Sequence, residues 1–193
     1  MIKVLLTGGI GSGKSVAARI LSQLGAFVYD SDSAVHTLYR DNAMLRAGLA
    51  ELFGTEVLTP QGVNRKLLSE KVFSDAEALK VLEDLVHPAV KEDFLVRAAE
   101  GGAKVAVMES AIAASKPLFN GFFDKTVLID APLLLRIDRA SQRDRVPSEQ
   151  VLERIAMQTM PENADYTIVN DGDMDSLASQ VKNVYIDHIR ILG

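Results

Sequence analysis

The strongest constraint on the fold is a glycine-rich segment near the N-terminus, residues 8–15, which reads Gly-Gly-Ile-Gly-Ser-Gly-Lys-Ser. This order matches the spacing G-x-x-x-x-G-K-S of a phosphate-binding loop. A short apolar segment, residues 3–7, precedes it, and apolar residues at helical spacing follow it over residues 16–24. The strand–loop–helix order predicts an α/β fold whose first loop binds phosphate.

The residue types in this loop are suited to a nucleotide triphosphate. Glycines let the backbone turn its N–H groups inward, and the helix that begins near Lys14 adds the positive end of its dipole. Lys14 can reach the β- and γ-phosphates, and the Ser15 hydroxyl can bind the Mg²⁺ that bridges them. The alternative is a glycine-rich turn without a ligand. We predict the following nucleotide-binding residues, with Ser15 as the metal ligand: Gly9, Ile10, Gly11, Ser12, Gly13, Lys14, Ser15 and Val16.

Length and composition limit the other possibilities. A chain of 193 residues is one domain, or one domain with insertions, and can bury a sizeable core. It has no cysteine, and no apolar run approaches the ~20 residues that cross a bilayer. The net charge of −5 argues against broad nucleic-acid binding. We therefore expect a cytoplasmic protein, monomeric, that acts on a small molecule and binds neither nucleic acid nor membrane.

Two carboxylates follow the second predicted strand, residues 26–29. They are Asp30 and Asp32, and Ser31 lies between them. Ligands of open parallel sheets collect at the carboxyl ends of the strands, so both should face the same crevice as the phosphate loop. A carboxylate there can accept the proton of an attacking hydroxyl, whereas Asp is also a favoured helix N-cap. We expect one of the pair to cap the next helix and the other, Asp32, to be catalytic.

A third carboxylate, Glu109, follows the apolar strand predicted over residues 103–108. It should reach the same edge of the sheet, where it could hold the metal or the acceptor. An acidic residue at a helix N-terminus is the alternative.

The long connection before that strand is helical in its pattern. Residues 33–102 carry apolar residues at spacings of three and four, with a short loop or hairpin over residues 55–63. A crossover between parallel strands needs only about a dozen residues. We interpret the excess as a helical insertion that covers the acceptor substrate, the alternative being a purely structural helical pack.

Arginines and a polar turn complete the candidate site. Arg139 and Arg143 lie four residues apart and share one helical face, which suits stacking on a base and bidentate phosphate binding. The alternative is a solvated basic face. The turn after Arg143 is a candidate hinged lid. A final strand over residues 164–169 leads to Asn170, where a base ring could rest, and the lack of a guanine-reading Asn-Lys-x-Asp motif favours ATP over GTP.

Several of these features together resemble one family, the dephospho-coenzyme A kinases, and the resemblance runs almost end to end. The matching segments are Thr7 with residues 8–15, Asp30-Ser31-Asp32, Asn64-Arg65-Lys66-Leu67-Leu68 ahead of Val72-Phe73, Val86-His87-Pro88, Arg139 to Asp144, Arg154-Ile155 with Gln158, and Ala164-Asp165 with Asn170. The phosphate loop marks only a superfamily. The His-Pro pair, the Gln-Arg-Asp of the lid and the Ala-Asp…Asn make the resemblance specific.

The resemblance implies a P-loop kinase fold with a five-stranded parallel sheet. The nucleotide-binding core would be residues 1–32 and 103–193, with a coenzyme A-binding insertion over 33–102 and a lid over 139–150. The implied reaction moves the γ-phosphoryl group of ATP, with Mg²⁺, to the ribose 3′-hydroxyl of dephospho-coenzyme A. Other open readings are another small-molecule or nucleoside monophosphate kinase of this fold, and a nucleotide-dependent switch.

The resemblance also implies roles for single residues. Asp32 falls on the catalytic base, and Lys14 and Arg143 fall on the cations that stabilise the transferred group. Arg139 matches an adenine-stacking position. The residues implied on the acceptor side are Asp32, Arg65, His87 and Glu109.

Two positions depart from the family pattern. His36 stands where many relatives have an arginine, and Ser115 appears in place of a glutamate. Each departure bears on how the acceptor is held.

Overall fold

The computed structural model describes residues 1–73 and 75–192, and the chain divides into two units. The first, the sheet unit, comprises Met1–Asp30 and Ala98–Gly193, and the second, the helical unit, comprises Ser31–Arg97. The predicted fold class, an α/β fold with a five-stranded parallel sheet, is confirmed.

Seven strands occur in the described part of the chain, five of them in the parallel sheet, whose order is β2-β5-β1-β6-β7. The strands are β1 (Ile2–Thr7), β2 (Phe27–Asp30), β3 (Leu58–Thr59), β4 (Gly62–Val63), β5 (Val105–Glu109), β6 (Lys125–Asp130) and β7 (Tyr166–Val169). The central strands are apolar and buried, as expected for a parallel sheet covered on both faces.

The register of this sheet brings the carboxyl ends of β2 and β5 together. Glu109 at the end of β5 lies opposite Leu6 of β1 on one side and Asp30 of β2 on the other. The prediction that Asp30 and Glu109 reach the same carboxyl edge is therefore confirmed. The phosphate loop leaves β1 at that edge, directly after Thr7.

The sheet unit also contains helices. They are α1 (Lys14–Gln23), α6 (Leu133–Asp144), α7 (Ser148–Ala156) and α8 (Met174–Asn183). Ala17 and Leu21 of α1 and Leu177 and Val181 of α8 share one buried cluster with the inner strands. After α8 the chain changes to π-helical hydrogen bonding over Val184–Ile189.

The helical unit contains most of the long connection. Its helices are α2 (Ser31–Asp41), α3 (Ala43–Phe53), α4 (Arg65–Val72) and α5 (Ala76–Glu100), whose last three residues belong to the sheet unit. The predicted hairpin is the antiparallel pair β3–β4. Asn42 and Asn64 cap α3 and α4 by accepting N–H groups three residues on. Helix α2 begins at Ser31, two residues earlier than the sequence pattern predicted, so Asp32 lies in its first turn.

None of the described helices is both long and apolar enough to cross a membrane.

Candidate active site

Close packing explains why the phosphate loop is rich in glycine. Gly11 and Gly13 have φ angles of 76° and 99°, in the left-handed region that L side chains rarely adopt. A Cβ on Gly11 would collide with the backbone of Arg136, and one on Gly13 would collide with the side-chain amide of Asn170. The loop is therefore seated directly against α6 and the end of β7.

The peptide groups of Ile10 are bonded to side chains from distant parts of the chain. The Ile10 N–H donates to Oε1 of Gln158 at 2.8 Å, and Nε of Arg136 donates to the Ile10 carbonyl at 3.0 Å. Both side chains are half-buried. A Cβ on Gly9 would also collide with the Arg136 guanidinium, so this group lies directly against Gly9.

Asn170 connects the loop to the neighbouring strand ends. Its side-chain amide donates to the Ser12 carbonyl at 2.8 Å, and its backbone N–H donates to the Asp130 carbonyl at 2.7 Å. Its own carbonyl accepts from Arg139 at 3.1 Å. Two residues predicted to bind nucleotide, Arg139 and Asn170, thus lie together beside the loop.

Ser15 and Glu109 form the candidate metal site. The Ser15 hydroxyl donates to Oε1 of Glu109 at 2.8 Å, and Ser15 is exposed. Glu109 is the last residue of β5, and the next element is a 3-10 turn over Ala113–Ser115, so it does not start a helix. A hydroxyl and a carboxylate are hard oxygen ligands of the kind Mg²⁺ uses together with phosphates and water. No group of three His, Cys, Asp or Glu side chains that could hold a metal ion occurs in residues 1–73 and 75–192.

Lys14 and Val16 occupy the first turn of α1. Gly13 is the N-cap of this helix, and the Val16 N–H donates to the Gly13 carbonyl at 3.0 Å. The helix N-terminus therefore follows the loop without a break, as the motif predicts. Within the described residues, two hydroxyls, those of Thr7 and Ser12, are buried without a hydrogen-bond partner.

The α6–α7 turn, which here means the end of α6, the connection and α7 as far as Arg154, contains Arg143, the second cation that the resemblance implies. Arg143 donates from Nε to Oδ1 of Asp144 at 2.7 Å, and Arg154 of α7 donates to the other carboxylate oxygen at 2.9 Å. These hydrogen bonds lower the pKa of Asp144 to about 2. Arg145 ends α6 with a left-handed φ of 57°. The Arg143 guanidinium is thus bonded to its own neighbour in the chain.

The remaining predicted residues belong to the helical unit. Asp32 is exposed in the first turn of α2, Arg65 is the first residue of α4, and His87 is half-buried on α5. Burial raises the pKa of the Tyr39 phenol, and the nearby Arg65 guanidinium opposes this shift. His36, one of the two departures from the family pattern, is exposed on α2.

Two residues that contact the loop were not assigned a role from the sequence, Arg136 and Gln158. Gln158 belongs to the Arg-Ile…Gln segment of the family pattern, which was the available signal. Arg136 begins the run of arginines on α6, but its spacing from Arg139 and Arg143 does not distinguish it from an exposed basic residue. Nothing in either local sequence indicates Ile10 as the partner.

The Ala164-Asp165 segment of the family pattern has a structural role. Asp165 accepts from the Lys125 ammonium at 2.9 Å and from the Thr126 N–H at 2.8 Å. Burial acts to raise the pKa of Asp165, but these hydrogen bonds outweigh it and the pKa is lowered. Asp165 therefore joins the start of β7 to the start of β6.

Comparison with known proteins assigns this chain to a family. The family model for dephospho-CoA kinase (CoaE) matches residues 2–176. The dephospho-CoA kinase of Aromatoleum aromaticum is 35% identical over 191 residues, covering 95% of this chain and 92% of that protein. That of Porphyromonas gingivalis is 36% identical over 175 residues, covering 88% and 86%. The crystal structure of TT1252 from Thermus thermophilus superposes with a TM-score of 0.81 at 32% identity, covering 97% of each chain. The chain therefore belongs to the dephospho-CoA kinase family.

Proposed function

We propose that this protein transfers the γ-phosphoryl group of ATP to the ribose 3′-hydroxyl of dephospho-coenzyme A, giving coenzyme A and ADP. The observation that carries the proposal is the family match over residues 2–176, which includes an intact phosphate loop. Phosphoryl transfer depends on positioning and charge neutralisation, and the loop supplies both.

ATP would bind with its triphosphate in the loop. The N–H groups of Gly11 and of residues 13–15 and the dipole of α1 would face the phosphate oxygens, and Lys14 would neutralise the β- and γ-phosphates. Arg139 and Asn170 lie together beside the loop, which supports their assignment to the adenine end of the nucleotide.

Mg²⁺ would be held by Ser15, with Glu109 as the adjacent carboxylate. The 2.8 Å contact between these side chains supports this pairing, because the Ser15 hydroxyl oxygen and the Glu109 carboxylate are already next to each other. When bound, the ion would reduce the negative charge on the β- and γ-phosphates. Glu109 would then orient the Ser15 hydroxyl by accepting its proton in a hydrogen bond.

Asp32 would act as the general base. The 3′-oxygen of the acceptor would form a bond to the γ-phosphorus as the bond to the β–γ bridging oxygen breaks, and the hydroxyl proton would pass to the Asp32 carboxylate. Asp32 is exposed and follows Asp30 by two residues, which supports its access to substrate from the carboxyl end of β2.

The helical unit would bind the acceptor, with Arg65 and His87 as its contacts. Arg65 is exposed at the N-terminus of α4, where a cation and free N–H groups both favour an anionic partner such as a phosphate. The second departure from the family pattern, Ser115, donates its hydroxyl to the Ile112 carbonyl at 2.9 Å, so its oxygen is used within its own turn.

The α6–α7 segment, residues 139–150, would act as a lid that brings Arg143 to the transferred phosphoryl group.

We also propose a cytoplasmic, monomeric enzyme whose partners are its small-molecule substrates. The lack of cysteine is in keeping with a reducing compartment.

The test is ADP formation with ATP and Mg²⁺ in the presence and absence of dephospho-coenzyme A. We expect rapid turnover only with this acceptor, whereas equal slow turnover without any acceptor would contradict the proposal. Asp32→Asn should lower kcat by about 10²- to 10⁴-fold with little change in the affinity for ATP. Asp41→Asn, which changes another exposed carboxylate on α2, is the matched control. Near-normal turnover of the Asp32 variant would remove it from the base role.

A further inference from the structure

The phosphate loop contains one residue whose two peptide groups are both held by distant side chains. Ile10 lies between Gly9 and Gly11, which impose little conformational restriction of their own. Its N–H is bonded to Gln158 and its carbonyl to Arg136, at 2.8 and 3.0 Å. A Gly-Ile-Gly segment with neither bond would be free to rotate its peptide planes, because neither glycine resists the change.

We propose that Gln158 and Arg136 are positioning residues that hold the Ile10 peptide groups in the orientation that receives the triphosphate. This inference rests on the proposed binding of ATP in the loop. An ordered loop loses less conformational entropy when the ligand binds, so the two bonds raise the affinity without contacting the reacting atoms. Neither residue is a catalytic residue in this account.

Arg136 and Gln158 can hold the loop in place because the backbone at each residue is itself hydrogen-bonded. Arg136 lies in the first turns of α6, where its N–H donates to the Pro132 carbonyl, and its guanidinium lies directly against Gly9. Gln158 lies just beyond the end of α7, and its N–H donates to the Ile155 carbonyl at 3.1 Å. Both side chains therefore extend from hydrogen-bonded backbone of the sheet unit.

A competing role for Gln158 makes the opposite prediction. Its Oε1 could occupy an N–H group that a phosphate oxygen must take over, and the side chain would then hinder ATP. Under that role, removal of Oε1 would tighten nucleotide binding. Under our proposal, removal weakens it.

The experiment uses the full chain and a nonhydrolysable ATP analogue with Mg²⁺, with binding measured by calorimetry. Gln158→Met keeps the length of the side chain but removes the acceptor, and Arg136→Lys keeps the charge but removes Nε. We expect each variant to weaken analogue binding by about five- to tenfold, the effect of losing one hydrogen bond. The double variant should lose less than the product of the two effects, because both act on one peptide segment. Gln23→Met, at the exposed end of α1, is the matched control.

A second readout does not depend on substrate. Hydrogen exchange of the Ile10 amide in the nucleotide-free protein should accelerate by about tenfold or more in Gln158→Met and stay unchanged in Gln23→Met. Unchanged exchange, or analogue binding within twofold of wild type or tighter, would overturn the proposal. Turnover with dephospho-coenzyme A is recorded in parallel. Loss of the proposed function would appear there in the wild-type protein, whereas failure of this inference would leave wild-type turnover intact.

Discussion

The phosphate loop and the α6–α7 turn both concentrate polar side chains in the sheet unit, yet their partners differ in sequence separation. Loop residues bond to side chains that lie 94 to 158 positions away, as in Ser15 with Glu109 and Ser12 with Asn170. In the turn, Arg143 bonds to the adjacent Asp144, and Arg154 reaches the same carboxylate from 10 positions away.

This difference indicates two ways of preparing a charged site. The loop contacts of Ile10 are half-buried and that of Ser12 is buried, whereas the contact of Ser15 with Glu109 is exposed. All of them exist before any ligand arrives, which favours tight and specific phosphate binding. The ion pairs of the turn are exposed, with 62% of the Arg143 side chain accessible, and exposed pairs stabilise a structure only weakly. Under the proposed lid role, Arg143 would exchange Asp144 for a phosphate at little cost.

The largest expected effect tests the turn. Arg143→Ala should lower kcat by about 10³-fold, because an arginine that stabilises the transferred group acts mainly in the transition state. The affinity for ATP, measured by calorimetry, should change much less. Arg19→Ala, on the exposed face of α1, is the control. A large rise in KM for ATP with kcat unchanged would show that Arg143 contributes to ATP binding, as the loop residues do. The contrast drawn here between the loop and the turn would then be wrong.

The next effect tests the loop with a matched pair of glycines. Gly13 and Gly25 have φ angles of 99° and 93°, but a Cβ on Gly13 would strike Asn170, whereas one on Gly25 meets open space. Gly25→Ala should cost about 1–2 kcal/mol of stability and leave ATP binding intact. Gly13→Ala should weaken ATP binding by about 10²-fold in addition, since the loop must shift away from Asn170. Equal ATP affinity in the two variants would show that the close contact with Asn170 does not matter.

A smaller effect concerns the dependence of folding stability on pH under acidic conditions. The pKa of Asp144 in the folded protein is about 2, below its ordinary value, so its ion pairs contribute fully above about pH 4. That contribution is lost as the pH falls through about 2. Asp144→Asn should lower the melting temperature at pH 7 by no more than about 3 °C, and the difference from wild type should shrink between pH 4 and pH 2. Asp138→Asn, on the same helix, is the control. A difference that stays constant with pH would assign the loss to something other than charge.

The smallest effect concerns a buried hydroxyl beneath the loop. Thr7 is fully buried, and its hydroxyl has no hydrogen-bond partner in the described part of the chain. Thr7→Val keeps the shape and removes the unsatisfied group, so it should leave stability unchanged or raise it by about 1 kcal/mol in urea unfolding. Thr167→Val, at an exposed position of β7, is the control. A loss of more than about 1 kcal/mol in the Thr7 variant would mean that the hydroxyl has a partner when the protein is in solution.

Local sequence predicted much of this protein. The Gly-Lys-Ser motif predicted a strand, a loop and a helix in that order, and apolar runs ending in Asp30 and Glu109 predicted parallel strands with carboxylates at one edge. The family followed from segments spread along the chain, and the comparisons confirm it. These features were readable because glycine conformation, strand apolarity and helix periodicity depend on residues close in the sequence. The assignments of Asp32, Arg65 and His87, and of the lid over residues 139–150, stay predictions.

Tertiary structure alone decided which side chains support the loop. The sequence shows Arg136 as one of several arginines and Gln158 as a polar residue after a short helix, and only packing brings both to Ile10. It likewise decided that Glu109 meets Ser15. The physical reason is that a side-chain hydrogen bond needs atoms within about 3 Å of each other. Across more than 90 intervening residues, that distance is set by how the strands and helices pack and not by local preference.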